Sequence, residues 1–403
     1  MKECMGCGAC AAICPVNCIE MKSDAAGFLY PEVDKGKCIG CNRCEAVCPI
    51  RHDIPVYGQR EPEAFAAKIT EDDILKKSTS GGIFSSLARQ WNGIVFGAVM
   101  KEDYSVVIEA AEDFGRMQGS KYVQSSTADS YETVKCYLEE KKKVLYTGLP
   151  CQIAGLKMFL GKDYDNLLCV DIVCHGSPSM GLFQDYIADL EKDYGPLEDY
   201  RFETKRRRWS PAIEKEVTFK AGGTVHNRDF TEDSYLYSFC KEESYRSYCY
   251  HCKFSGMPRV SDITIGDFFG YGMITPKRIN PKAGISMVLV NTEKGREVWN
   301  ALPDVDRHSV SLYSCLIVNH NLWKPTGPNK NSEQFYAVYQ EGGYSQIEAN
   351  TVKRCKNAAV RIKKWIRHLF PSVAAGMMLR EKKKQHENVL KVIEKIKMET
   401  SGE

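Results

Sequence analysis

No apolar run in this 403-residue chain reaches the ~18 residues that a membrane-spanning helix needs. Nothing resembling a signal peptide precedes the first cysteine, Cys4, so a cytoplasmic protein is expected. No G-x-G-x-x-G followed by an acidic residue is present, which argues against a Rossmann-type NAD site. Aromatic residues do not alternate with Lys and Arg at regular spacing, which disfavours nucleic acid as a partner. The formal charge is only +3, but its distribution is uneven: residues 353–397 hold fourteen Lys and Arg against Glu381, Glu387 and Glu394, so the remainder is net acidic. Within this basic tail Ile362, Trp365, Ile366 and Leu369 fall at i, i+3, i+4 and i+7, an amphipathic helix closed by Pro371. For the basic tail as a whole, a helix docked on its own or a partner protein is expected, with peripheral contact to an anionic membrane surface left open.

Cysteine, by contrast, is abundant. Nine of the 18 cysteines lie in the first 48 residues, at metal-ligand spacing rather than in the pattern of a short secreted disulfide framework. Cys4, Cys7, Cys10 and Cys14 are followed by Pro15; Cys38, Cys41, Cys44 and Cys48, 34 residues further on, are followed by Pro49. A cubane cluster needs a thiolate at each of four corners. A tight C-x2-C-x2-C loop supplies three, and in two-cluster ferredoxins the last Cys of each run serves the other cluster. The expected sets are therefore Cys4, Cys7, Cys10 with Cys48, and Cys38, Cys41, Cys44 with Cys14. Paired zinc sites leave the third closely spaced Cys and the Cys-Pro endings unexplained. Cys18 fits neither set and reads as a small buried residue. Residues 1–55 are too short and too Gly-rich to bury much core, so metal must supply much of their folding energy. They resemble a bacterial-type two-[4Fe-4S] ferredoxin, a unit that moves single electrons.

A linker containing DIPVYGQREPEAF is expected next. Beyond it, GIVFGAVM, KKVLYTGLP, LLCVDIVCHG, DITIGDFFG and ISMVLVNT read as buried strands, and stretches such as QIAGLKMFLGK as helices. The fold class expected is α+β and α/β: a small ferredoxin-like two-cluster domain over 1–55, a mixed-sheet α/β catalytic domain over 75–325, and a basic helical tail over 350–403.

Four stretches carry candidate chemistry. In KSTSGGIFSSLA, Ser80, Gly81 and Gly82 precede a helix-like run, where small residues let backbone N–H groups approach a phosphate; an ordinary helix cap is the competing reading. GSKYVQS places Lys121 beside hydroxyls and an amide, either for an anionic group or as a solvated lysine in a turn. YTGLPCQIAG puts Cys151 at a helix start, which favours a thiolate, and CHGSPS puts Cys174 at a strand end. Cys249-x2-Cys252 needs two further ligands, for which Cys151 and Cys174 are the best available; buried inert thiols are the alternative. His175, beside Cys174, either orients or donates a proton or is structural.

In order, STSGG, GSKYVQS, TGLPCQI, VCHGSPS and CYHCKF with SDITIGD resemble the beta subunit family of coenzyme F420 hydrogenases and dehydrogenases over roughly residues 75–325. The ferredoxin-first arrangement is similar to the electron-input subunit of F420H2 dehydrogenases. Similar domains occur in plant chlorophyll-cycle reductases and bacterial polysaccharide clusters. The resemblance implies FAD and a [4Fe-4S] cluster in this domain, with Ser80, Gly81 and Gly82 approaching the flavin phosphates, Lys121 nearby, and Cys151, Cys174, Cys249 and Cys252 holding a third cluster. Two departures stand out: the basic RFETKRRRWSP, and Cys240, an extra thiol able to replace Cys174. Clusters pass one electron at a time, whereas reducing a deazaflavin, carbonyl or conjugated double bond takes two electrons and a proton, a conversion that flavin performs. The activity expected is an iron–sulfur flavoprotein oxidoreductase exchanging electrons with a hydride donor or acceptor, F420 being one candidate, and with ferredoxin or another redox subunit as partner. A ferredoxin-driven reductase of a sugar or other metabolite, and a non-catalytic electron-relay subunit, are the alternatives.

Overall fold

The computed structural model describes residues 3–54, 59–111, 113–127, 129–202, 215–276, 278–280, 284–355, 376–377 and 380–401. The tail positions Ile362, Trp365, Ile366 and Leu369, and most of RFETKRRRWSP, lie outside the described residues.

The internal repeat is visible in the backbone. Gly6 and Gly8 in the first cysteine loop, and Gly40 and Asn42 in the second, all adopt left-handed conformations (φ 71, 77, 66 and 57°) at the same 34-residue offset. Each loop then runs into one helical turn, α1 (Ala9–Ala12) and α2 (Arg43–Ala46), a wrap that L-residues with side chains rarely adopt. Between them β1 (Ile19–Ser23) and β2 (Leu29–Val33) form an antiparallel hairpin.

Among the described residues, the buried side chains of this unit form no separate apolar cluster. Met5, Cys7 and Ala9 are buried together with residues of two helices of the next domain, α5 (Ser130–Glu139) and α6 (Pro150–Leu160). Docking therefore supplies part of the stability that the sequence reading assigned to metal.

The strands β3 (Gln59–Ile69), β4 (Ile94–Met100), β5 (Val106–Ala111), β6 (Val144–Gly148), β7 (Leu167–Ile172), β11 (Ile263–Asp267), β12 (Ser286–Thr292) and β13 (Val305–Ser309) form one mixed sheet, ordered β13-β3-β12-β11-β7-β6-β4-β5. Its centre, β4-β6-β7-β11, is parallel, and its flanks are antiparallel. All five strands read from the sequence lie in it. The expected linker does not hold from Gln59 onward: those residues are β3, paired on both sides, and Ala64, Ala66, Ala67 and Ile69 are buried. The charged and Pro-containing start of QREPEAFAAKI masked a strand whose small alanines pack in the sheet.

Helices cover both faces, as a parallel centre requires. The short α3 (Asp72–Lys77) follows β3 and packs on it. Leu167 and Cys169 pack on the α5–α6 side, whereas Leu168 and Val170 pack against α4 (Ile83–Trp91) and α9 (Glu293–Asn300). A three-stranded antiparallel sheet, β10-β9-β8 (Thr224–Asp229, Glu216–Ala221 and Leu197–Phe202), packs with α7 (Met180–Tyr194), α8 (Ser234–Cys240) and α11 (Lys330–Cys355) in an aromatic-rich core. The C-terminal helix His386–Ser401 docks on α10 (Leu312–Val318) and β3 through the fully buried Val389. The expectation of a helix docked on its own protein holds for that part of the tail. No helix among the described residues is long and apolar enough to cross a membrane.

Candidate functional site

In an open α/β sheet, ligands collect at the carboxyl ends of the parallel strands. Here β6 ends at Gly148 and leads through Pro150 to Cys151, and β7 ends at Ile172, just before Cys174 and His175. Cys249 and Cys252 arrive on the short 3-10 segment Ser247–His251 and the residue after it. All four thiols line one small cavity of about 30 Å³, together with Met5, Tyr248, Phe254 and Arg259. The structure thus brings together the four cysteines singled out from sequence. Cys240 is absent from that cavity and lines a larger neighbouring one instead, so it does not take the place of Cys174.

At Cys151 the helix start acts against strong desolvation. Burial pushes the Cys151 and Cys174 thiols well up and Cys249 to about 12, with the neighbouring sulfurs adding like-charge repulsion. The dipole of one helix does not offset the loss of water, and a bound cationic metal would.

The ferredoxin-like thiols group across the repeat. Burial raises Cys7 to about 12 and Cys10 to about 11, and both are further raised by Cys4 or each other and by Cys48, the last cysteine of the second run. Cys14 lies by the second group: its Sγ is 3.4 Å from that of Cys18, which in turn interacts with Cys38. Cys18 is buried as expected, but against a candidate ligand rather than in an apolar core. Cys44 is half-buried, and Cys38 and Cys41 are exposed, which puts the second group at the surface. The first group abuts α6: a Cβ at Gly155 would lie 3.0 Å from the Cys7 Sγ. Gly155 stands one turn along the same helix face from Cys151.

Several residues of this junction were not identified from sequence. Arg246 is 1% exposed and donates from Nε to the Cys4 carbonyl (2.7 Å), from Nη2 to the Leu29 carbonyl (2.8 Å) and from Nη1 to the Gln124 Oε1 (2.8 Å). Gln124 Nε2 donates to the Met5 carbonyl, and Thr127 Oγ1 to the Cys7 carbonyl. The amide of GSKYVQS therefore holds the cysteine loop rather than an anion. An arginine three residues before Cys249 was the available signal.

The larger cavity, about 1120 Å³, adjoins the four-thiol cavity and shares Leu149, Cys174, His175, Gly176 and Ser177 with it. Ser80, Gly82 and Lys121 line it, with Thr79. Gly82 is the N-cap of α4 at φ 78°. Gly81 does not line the cavity: its N–H donates to the Ser286 Oγ (2.9 Å), and a Cβ there would lie 2.5 Å from the Ala67 carbonyl oxygen. Its glycine is needed for sheet packing, so Gly81 leaves the anion-facing set. The Ser80 hydroxyl donates to the Ile285 carbonyl (3.0 Å). Lys121 is not a solvated turn lysine: its Nζ donates to the Met117 and Gln118 carbonyls at 3.0 Å, and burial lowers its pKa to about 8. The His175 ring meets His320 edge-on at 5.8 Å, and burial, with His320, Lys215 and Lys382, lowers its pKa to about 3. It is neutral at pH 7, able to offer a hydrogen bond and unsuited to donating a proton as an acid.

Arg259 and Asp171 form a fully buried ion pair (2.5 Å) that, with Ser261, ties the ends of β7 and β11 beneath the four-thiol cavity.

Residues 141–311 match the family model for the C-terminal part of the coenzyme F420 hydrogenase/dehydrogenase beta subunit, a span that contains all four thiols of the small cavity. Residues 3–51 match the 4Fe-4S dicluster domain. Comparison with curated proteins found no match. A solved xenon-derivatized structure of the F420-reducing [NiFe] hydrogenase complex from Methanosarcina barkeri is similar at 16% identity and a TM-score of 0.41, over 74% of this chain and 94% of that one. The chain is thus similar to a 4Fe-4S dicluster domain at its start and to the C-terminal part of the coenzyme F420 hydrogenase/dehydrogenase beta subunit over residues 141–311, which supports an oxidoreductase-like role in iron–sulfur electron transfer.

Proposed function

We propose that the chain is an iron–sulfur flavoprotein that passes electrons between three [4Fe-4S] clusters and a hydride donor or acceptor, coenzyme F420 being the candidate that the family match favours. The observation that carries this reading is the shared wall: the four-thiol cavity and the large cavity meet at Cys174–Ser177. The exposed Cys38 and Cys41 belong to the set that takes electrons from a redox partner, together with Cys44 and Cys14. Cys4, Cys7, Cys10 and Cys48 form the next set, packed on α6, and Cys151, Cys174, Cys249 and Cys252 the third.

The large cavity fits FAD. Its ~1120 Å³ exceeds the roughly 300–1,000 Å³ of an ordinary small-ligand pocket, leaving room for a dinucleotide and part of a substrate. When bound, FAD would supply the conversion between single electrons and hydride. Thr79, Ser80, Gly82 and Lys121 would hold its phosphates at the start of α4, where helix N–H groups favour an anion. His175 would give a neutral hydrogen bond at the end of the cavity nearest Cys174. The apolar wall residues Ile83, Phe84, Val173 and Phe269 would exclude water.

Anaerobic purification with iron, sulfide and flavin quantitation tests the reading, followed by reduction assays with F420 and reduced ferredoxin. Twelve iron atoms and one FAD per chain are expected. Protein with full iron, no flavin and no two-electron turnover would establish an electron relay instead.

A further inference from the structure

The C-terminal segment that the family match does not reach returns to the cavity. Met377, Arg380, Glu381, Lys382 and Lys384 all line it, some 70 residues beyond the matched span. Its position is fixed from the helix that follows: Val389 is fully buried against α10, and the Tyr313 hydroxyl lies 2.8 Å from the His386 Nδ1. Among the described residues, no ion pair within 4 Å engages Arg380, Lys382 or Lys384, and Lys382 is half-buried. With Lys121, Lys215 and Lys241 they give the cavity six cationic side chains against Asp267, Glu242 and Glu381.

His175, Glu242 and His320 offer ligand atoms within 4.8 Å of one another, a spacing that a divalent cation could use. The surrounding field decides against that. Lys382 acts on both histidines and on Glu242, Lys215 on His175, Lys324 on His320, and Lys241 on Glu242. Four ammonium groups around one carboxylate repel a dication and attract an anion.

We infer that residues 380–384 form a cationic wall that selects a substrate bearing a phosphate or carboxylate, with Lys382 as its central contact and the redox-active part of the substrate directed toward the Cys174–Ser177 wall. This rests on the flavoprotein reading for the site's chemistry. It adds the class of substrate and the segment that recognises it.

The test uses the full chain with its clusters and FAD, reduced anaerobically and reoxidised by FMN or riboflavin, acceptors that share a ring system and differ by one phosphate. The wild type should show the lower KM for FMN. The triple variant Arg380→Glu/Lys382→Glu/Lys384→Glu should raise the FMN KM about tenfold, equivalent to about 1.4 kcal/mol. The riboflavin KM and both kcat values should stay unchanged, and Lys382→Arg should behave as wild type. The exposed single variant Lys384→Glu gives a smaller effect of the same sign and covers misfolding of the triple variant. Equal KM changes for both acceptors, or no preference in the wild type, overturn the inference. So does loss of FAD from the triple variant, which would assign the wall to the cofactor. If the wild type carries no flavin, the flavoprotein reading fails on its own. Calorimetric titration with inorganic phosphate then decides the wall: binding weakened about tenfold by the triple variant supports it, and unchanged binding overturns it.

Discussion

Replacing Arg246 with Met should uncouple the dicluster unit from the catalytic domain without removing any cysteine. The guanidinium is 1% exposed and makes three hydrogen bonds of 2.7–2.8 Å, to the carbonyls of Cys4 and Leu29 and to Gln124. It also stacks over Tyr30, 4.1 Å from the ring centroid. A hydrogen bond involving a charged donor contributes about 1.5–3 kcal/mol net, and such contributions within one network do not add fully. Methionine keeps most of the volume but leaves two carbonyls without their donor. The expected loss is therefore about 3–5 kcal/mol of docking free energy. At about 1.4 kcal/mol per tenfold, that raises the population of the opened junction by at least two orders of magnitude. Hydrogen exchange resolves this directly: amides of Gly6–Cys10 and of the β1–β2 hairpin should exchange at least a hundredfold faster, while those of β6 and β7 should not change. Electron transfer from the dicluster unit to the catalytic domain, followed by stopped-flow absorbance, should slow as the junction opens. Arg246→Met protein with wild-type exchange at Gly6–Cys10 would refute the clasp, and the unit would then have to be held by apolar contact through Met5, Cys7 and Ala9 alone.

Three further outcomes are expected. Cys249→Ser should remove one cluster's worth of iron and leave both dicluster-domain clusters; unchanged iron content would contradict the four-thiol assignment. Gly27→Val should loosen the same junction from the other side, because a Cβ there would lie 2.6 Å from the Gly181 Cα and φ is 80°; a wild-type thermal transition would contradict it. Lys121, lowered to about 8 by burial, should lose its charge as pH rises through that value, so affinity for flavin or inorganic phosphate should fall above pH 8. The same shift makes folding stability rise between pH 8 and the lysine's ordinary 10.5, where only the unfolded chain keeps the proton. In Lys121→Met both dependences should vanish, and a pH profile unchanged from wild type would sink the assignment.

What the sequence made legible was chemistry with a local signature. The doubled cysteine spacing and the convergence of Cys151, Cys174, Cys249 and Cys252 were readable, because thiols are rare and ligand spacing is a local signature. The crossed pairing proposed for Cys14 and Cys48 accords with Cys48 lying by Cys7 and Cys10. The five central strands were readable because a strand buried on both faces shows as a continuous apolar run; β12 is buried at every position. The edge and flanking strands were not. β3 begins with charges and a proline, and β13, Val-Asp-Arg-His-Ser, is half-buried, so tertiary pairing overrides a weak local signal. Gly81 and Gly82 look equivalent in STSGG, yet one packs against the Ala67 carbonyl oxygen and the other lines the cavity. Only the path of the neighbouring strand distinguishes them, and for the same reason a Gly82→Val substitution would not isolate an anion site. Its Cβ would meet the Ile69 side chain at 2.7 Å, so the substitution would strain the fold as well as displace an anion. Lys121 is the cleaner probe, since its ammonium is held by carbonyl oxygens rather than by packing. The same reasoning explains why the tail's role was hidden. Fourteen basic residues in one stretch suggest a docked helix but not where it docks, and it takes the burial of Val389, a long-range contact with no periodic signature, to bring Lys382 back to the cavity wall.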